Sequence, residues 1–366
     1  MEHGGDIYTD GVLKGKDLMD FSSNINPLGA PEGFKKNICE AIENVDKYPD
    51  IEYRELKKSI KNYLENYDYY FGKNTFKSNV KLELNNIVLG NGASEIIDMA
   101  ISCFKSICIV VPSFIEYEKN ALKWGCSIVY SKLNSYMNLD YEDILEKIKH
   151  VQCLIIGNPN NPNGQVIDKK KFKTILNYCE ENEKTIIIDE AFVEFTGNAS
   201  LSFLNEIENY NCLFIVRALT KFFALPGIRF GYGISKNKNI IFSIKRKQNP
   251  WNINCFAETA AKYVLNDCKY ISKSLNWIAS ERKFMEENLK KINIIDRVYT
   301  TYSNFVLCRL LGVDSHELYE FCLKKGALIR KCENFRGLDK RYIRLAIKDR
   351  EKNKKMIDIM AKFSLN

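Results

Sequence analysis

The feature that most constrains this chain is a succession of short apolar runs, rich in β-branched residues, separated by segments of helical period. The runs are "NNIVLGN", "ICIVVPS", "CSIVYSKL", "VQCLIIGNP", "TIIIDEA", "CLFIVRAL" and "FGYGIS". A half-exposed strand alternates apolar and polar residues, whereas most of these runs are apolar at successive positions, so both faces of the sheet must be covered. Amphipathic stretches such as "ASEIIDMAISCFK", "SFIEYEKNALKWG" and "KKKFKTILNYCEEN" lie between them and supply that cover. The pattern predicts an α/β fold whose large domain holds a mostly parallel, seven-stranded sheet. From Glu258 to Lys291 a nearly breaker-free stretch predicts one long helix linking two lobes. Beyond it, "NFVLCRL", "ALIRKC" and "YIRLAI", with helices at "SHELYEFCLKKG" and "DREKNKKMIDIMAKF", predict a smaller α+β domain. The expected division is an N-terminal segment, 1–45, packing with the small domain, a large domain, 46–255, and a linking helix with the small domain, 256–366. The stretch "DYYFGKNTFKSNVKLEL" has no period and is read as a loop insertion.

A chain of 366 residues, 45% of them hydrophobic, can bury a core of this size. No run of about 18 apolar residues exists to cross a bilayer. The start "MEHGGDIYTDG" is acidic and polar where a secretory signal is basic and then apolar, so a cytoplasmic protein is expected. The 12 cysteines form no C-x-x-C pair, and most sit in apolar runs, as Cys108 and Cys153 do; they read as reduced core residues. The net charge of +8 comes from lysines scattered over helix faces without a basic block. That argues against a nucleic-acid partner and is compatible with attraction for small anions. His3, His150 and His316 lie far apart without ligand spacing, so no metal site is expected.

In an open parallel sheet a ligand lies beyond the carboxyl ends of the strands, and the residues just after each run are informative. After "NNIVL" comes "GNGASE", a glycine turn opening a helix whose N–H groups can cradle a phosphate. After "VQCLIIG" comes "NPNNPNG", which offers the amides of Asn158 and Asn161 on a proline-stiffened turn. Asp189 closes "TIII" at the end of a buried strand, where an unpaired charge costs several kcal/mol and so requires a cationic partner. Lys221 follows "CLFIV" at another strand end. These four sites make chemical sense together around pyridoxal 5'-phosphate. A lysine amine forms a Schiff base with its aldehyde, and a carboxylate keeps its pyridine nitrogen protonated and the ring an electron sink. An arginine and a glycine-rich helix start hold its phosphate.

With "YPD", "GNGASE", "NPNNPNG", "DEAF", "LTKFFALPGIR" and the late arginine of "YIRLAI" in order, essentially the whole chain resembles the fold type I pyridoxal-phosphate enzymes, the aspartate aminotransferase superfamily. The resemblance implies that Lys221 forms the Schiff base, Asp189 partners the pyridine nitrogen and Asn161 donates to the ring hydroxyl. It implies that Gly92, Ala93 and Ser94 form the phosphate loop, joined by Thr220 and Arg229, and that Phe114 stacks on the ring. Tyr48 in "YPD" is placed like the tyrosine that reaches the phosphate of the neighbouring subunit, which implies a homodimer with shared active sites. Arg344 is placed to grasp a substrate carboxylate. Two positions depart from the family pattern. Phe192 stands where its aminotransferases usually carry tyrosine, and Ala218 stands where they tend to carry serine or threonine.

Narrower features, "HGGDIY", "DFSSNINPLG", "LTKFFALPGIRFGY", "NPWNIN" and "LIRKCENFRGLDKRYIRLAI", are similar to the threonine-phosphate decarboxylase family. That resemblance implies conversion of L-threonine O-3-phosphate to (R)-1-amino-2-propanol O-2-phosphate in cobalamin biosynthesis. The small phosphorylated amino acid would be gripped at its phosphate by Arg330 with His3, with Asn24 adding a contact and Arg344 orienting the substrate. Lys221 would return a proton to Cα after carbon dioxide leaves. Histidinol-phosphate aminotransferase, a close relative, and a decarboxylase of L-serine O-phosphate are the alternative enzymes, since one methyl group is worth only about 1–3 kcal/mol of discrimination. A non-enzymatic ligand sensor is the remaining alternative; such regulators carry a DNA-binding winged helix ahead of this fold.

Overall fold

The computed structural model describes residues 3–72 and 80–363. Its centre is a seven-stranded sheet built from β1 (Ile87–Gly90), β2 (Ser106–Val111), β3 (Ser127–Lys132), β4 (Cys153–Gly157), β5 (Thr185–Asp189), β6 (Leu213–Ala218) and β7 (Gly231–Ile234). The spatial order is β1-β7-β6-β5-β4-β2-β3. Neighbours pair in parallel except at β7, which runs antiparallel to both β1 and β6. Strands β4, β5 and β6 are buried at every residue, as their unbroken apolar runs require. Helices such as α1 (Ala93–Ile101), α2 (Glu116–Lys123) and α3 (Lys169–Glu181) cover the sheet with apolar stripes.

The stretch predicted as one long helix is two. Helix α4 (Cys255–Val264) stops before Leu265–Asp267, and α5 (Cys268–Leu289) restarts there. The break has a local cause: the Asp267 carboxylate accepts from the Tyr270 N–H and caps the second helix, which Asp does better outside a helix than within it. The predicted loop insertion is also partly corrected, because Tyr67–Phe71 is helical and buries Tyr67 and Phe71. Residues 73–79 of that insertion lie outside the described residues.

A second, four-stranded antiparallel sheet contains β8 (Ile295–Val298), β9 (Phe305–Leu310), β10 (Arg330–Lys331) and β11 (Tyr342–Ala346), in the order β10-β11-β9-β8. The run "ALIRKC" splits, since Ala327–Leu328 leaves this sheet to pair in parallel with Met19–Asp20 near the N-terminus. The Ala346 N–H donates to Phe21 O, and Tyr319 Oη donates to Asp10 Oδ2 at 2.7 Å, so the N-terminal segment is stitched to this smaller sheet and its helix. All 12 cysteines are free thiols. Most are buried as expected, but Cys39 and Cys268 are exposed. No helix among the described residues is long and apolar enough to cross a membrane.

Candidate active site

The carboxyl ends of β2, β4, β5 and β6 and the start of α1 open on one cavity of about 230 Å³. Strands β10 and β11 and the N-terminal residues His3 and Gly4 close it from the other side. Lys221, Asp189, Asn161, Phe114, Ala93, Ser94, Thr220, Arg229, His3, Asn24, Arg330 and Arg344 all line it.

One wall is an anion cradle. Gly92 caps α1 at φ +90, and no side chain caps the helix, so its first backbone N–H groups remain available. A Cβ on Gly92 would lie 2.6 Å from Arg229 Nη2, so only glycine lets that guanidinium settle over the helix start. A Cβ on Gly231 of β7 would meet Ala93 N at 2.3 Å, which explains the bare backbone there as well.

Asp189 is the last residue of β5, in register with Gly157 and Val216. Burial pushes its carboxyl above the ordinary range; donation from Tyr117 Oη at 2.7 Å and from the Ala191 N–H at 3.0 Å works the other way. Lys221 follows β6. Burial, with the nearby cations Arg344, Lys348 and Arg229, brings its ammonium down to about 8, opposed by Asp189. At neutral pH a lysine so placed is about one-tenth neutral amine, the form a nucleophile for an aldehyde must take, and far more than an ordinary lysine offers. Phe192 presents its ring 5.9 Å from Lys221 Nζ. Phe114 stands after β2 with Tyr117 packed edge-on at 5.7 Å.

Opposite the cradle lies a pair of buried arginines. The antiparallel register of β10 and β11 sets Arg330 directly across from Arg344. Arg344 donates to Asn161 Oδ1 at 2.5 Å and to Ser22 O at 2.8 Å, both neutral acceptors, and burial lowers its guanidinium to about 10. With Asn161 Oδ1 turned to Arg344, Nδ2 is the donor end of this cavity-lining amide. Arg330 donates to Asn334 Oδ1 at 2.9 Å and lies over the Phe335 ring. Like charges directly across a ladder are destabilising alone, and an anion between them offsets that cost.

The N-terminal strap forms the roof. The Gly5 N–H donates to Ser22 Oγ at 2.7 Å, and His3 Nε2 lies 3.0 Å from Glu116 Oε1. Asn24 Oδ1 and Arg344 Nε are buried without a hydrogen-bond partner, so the cavity still has polar demand to meet. Tyr48 is not part of this cavity: it is 81% exposed and packs at a tilt against Trp251 with centroids 4.7 Å apart. Sequence reading missed Tyr117, Gly4, Ser22 and Lys348. The signal for Tyr117 is slight: it stands three residues after Phe114, in the first turn of α2.

The amine, the buried carboxylate, the aromatic wall and the uncapped helix start with its arginine are the groups that pyridoxal phosphate requires, and the residues present fit it. Among known proteins, a threonine-phosphate decarboxylase of Salmonella typhimurium is 29% identical over 97% of this chain and 94% of its own. A protein of Caldanaerobacter subterraneus subsp. tengcongensis, which carries the same name provisionally, is 39% identical over 98% of this chain and 93% of its own. A solved structure described as the histidinol-phosphate aminotransferase from Clostridium acetobutylicum is 56% identical, with a TM-score of 0.88 over 94% of this chain and 98% of that one. The family model described as aminotransferase class I and II matches residues 16–360, and the chain belongs to that family.

Proposed function

We propose that the chain is a pyridoxal-phosphate-dependent carboxy-lyase that converts L-threonine O-3-phosphate to (R)-1-amino-2-propanol O-2-phosphate in cobalamin biosynthesis. The observation that carries this reading is Phe192, a cavity residue with no hydroxyl to offer where the family's aminotransferases usually present tyrosine. The full-length likeness to proteins named threonine-phosphate decarboxylase supports it.

When bound, the cofactor supplies an electron sink for the pair released as the carboxylate leaves. Lys221 anchors the cofactor aldehyde, Asp189 holds the ring nitrogen, and Asn161 donates to the ring hydroxyl. Phe114 covers the ring face. Gly92, Ala93, Ser94, Thr220 and Arg229 take its phosphate. Arg330, with His3 at the roof and Asn24 beside it, grips the substrate phosphate, and Arg344 orients the rest of the substrate. By holding the substrate phosphate, Arg330 and His3 would fix how the substrate's Cα is presented, so that the bond to its carboxylate would be the one the cofactor's electron sink weakens. Lys221 Nζ then delivers a proton to Cα. Tyr48, exposed beside Trp251, completes the cofactor-phosphate site of a second copy in a homodimer.

The test is to incubate the loaded protein with L-threonine O-3-phosphate and no 2-oxo acid, and to follow carbon dioxide and the amine. Steady release over many turnovers is expected, with Arg330→Ala raising KM for the phosphorylated substrate. The likeness to the Clostridium acetobutylicum structure favours a second reading, a histidinol-phosphate aminotransferase. Turnover of histidinol phosphate only after a 2-oxo acid is added would establish that reading and sink the first. Release from L-serine O-phosphate in preference to the threonine ester would keep the chemistry and change the substrate.

A further inference from the structure

Tyr117 is buried on α2 with its hydroxyl 2.7 Å from Asp189 Oδ2 and its ring edge-on to Phe114. It therefore touches both groups assigned to the cofactor ring. We propose that Tyr117 is a positioning residue that keeps Asp189 ionised and aimed at the ring nitrogen, and so sets how strongly the bound ring withdraws electrons. This role rests on the pyridoxal-phosphate reading.

The geometry sets the direction. The other donor to Asp189 is the Ala191 N–H on Oδ1, which leaves Oδ2 to Tyr117. The charged groups that bear on Asp189 are Glu190, next in the chain, which disfavours its ionised form, and Lys221 after β6, which favours it. Burial and Asp189 itself keep the Tyr117 hydroxyl protonated, so it donates and does not accept. Without that donor the carboxylate becomes the better base, and the proton shared with the ring nitrogen moves toward Asp189. A bound ring would then be a weaker electron sink, and a cofactor held by Lys221 would take up its titrating proton more readily. Phe192 brings no hydroxyl to the cavity, so this chain's tuning of the ring falls more heavily on the Asp189 side.

Tyr117→Phe keeps the edge contact and removes only the hydroxyl. In the loaded protein, the pH midpoint of the bound cofactor's visible absorbance is expected to move upward by about one unit, and its dissociation constant to rise about tenfold or more. A merely structural tyrosine would lower thermal stability and leave the absorbance midpoint in place, and that result overturns the proposal. A crystal structure of the wild-type holoenzyme with Tyr117 beyond hydrogen-bond reach of Asp189 overturns it without any variant. Wild-type protein that takes up no pyridoxal phosphate would instead overturn the cofactor assignment, and this role with it.

Discussion

Replacing Gly4 by alanine tests whether the N-terminal strap belongs to the substrate site. A Cβ at this position would lie 2.0 Å from Ser22 O and 2.7 Å from Ser22 C, both backbone atoms that no side-chain rotation can clear. The strap must lift by about 1 Å to reach ordinary contact distance. Two neighbouring interactions depend on its seat: the Gly5 N–H on Ser22 Oγ at 2.7 Å and His3 with Glu116 at 3.0 Å. The first is worth about 0.5–1.5 kcal/mol. The second is a partly exposed pair, with His3 at 48% and Glu116 at 25%, and adds about 0–1 kcal/mol. Their sum of roughly 0.5–2.5 kcal/mol corresponds to a rise in substrate KM of about 2- to 70-fold. Steady-state kinetics on the phosphorylated substrate measure it, alongside cofactor affinity by titration. The cofactor constant should not move, because Gly92, Asp189 and Lys221 stand on or beside the large sheet and the strap does not hold them. A KM within twofold of the wild type, or a loss confined to cofactor affinity, refutes the strap's role.

Lys221 is brought from an ordinary 10.5 to about 8, so the neutral amine that captures an aldehyde prevails only above that value. The rate of pyridoxal-phosphate uptake by the apo-protein should therefore rise with pH through a midpoint near 8, and Lys348→Met should move the midpoint upward; stopped-flow absorbance against pH checks both. Arg217 is fully buried, 2.9 Å from Glu190 and 3.7 Å from Glu194, so Arg217→Met strands two buried carboxyl groups. A loss of about 3–5 kcal/mol is expected in chemical denaturation, far more than a surface ion pair would yield.

The large sheet was legible because burial on both faces leaves a mark on each strand's own residues. The four strand-end sites were legible for the same reason, since the end of a parallel strand is also where a ligand meets the fold. Strand direction was not: "FGYGIS" reads like its neighbours, yet β7 runs antiparallel between β1 and β6. The interruption at Leu265–Asp267 was hidden by helix-forming residues on both sides, and the short β8 carries too few residues to show a period. Reading "ALIRKC" as one strand missed its division between two sheets, which is decided by what lies beside each half.

The sequence alone determined which segments are buried strands, which helices cover them, and that Asp189 ends one strand while Lys221 follows the end of another. These follow from periodicity and from side-chain chemistry within a few residues. Only the tertiary structure decided that Tyr117 reaches Asp189 across 72 positions, that Gly4 must be bare beneath Ser22, and that Arg330 faces Arg344. Those relations depend on the register of strands and on backbones brought together from distant parts of the chain. Local propensity carries no record of a partner so far away, and packing alone chooses it.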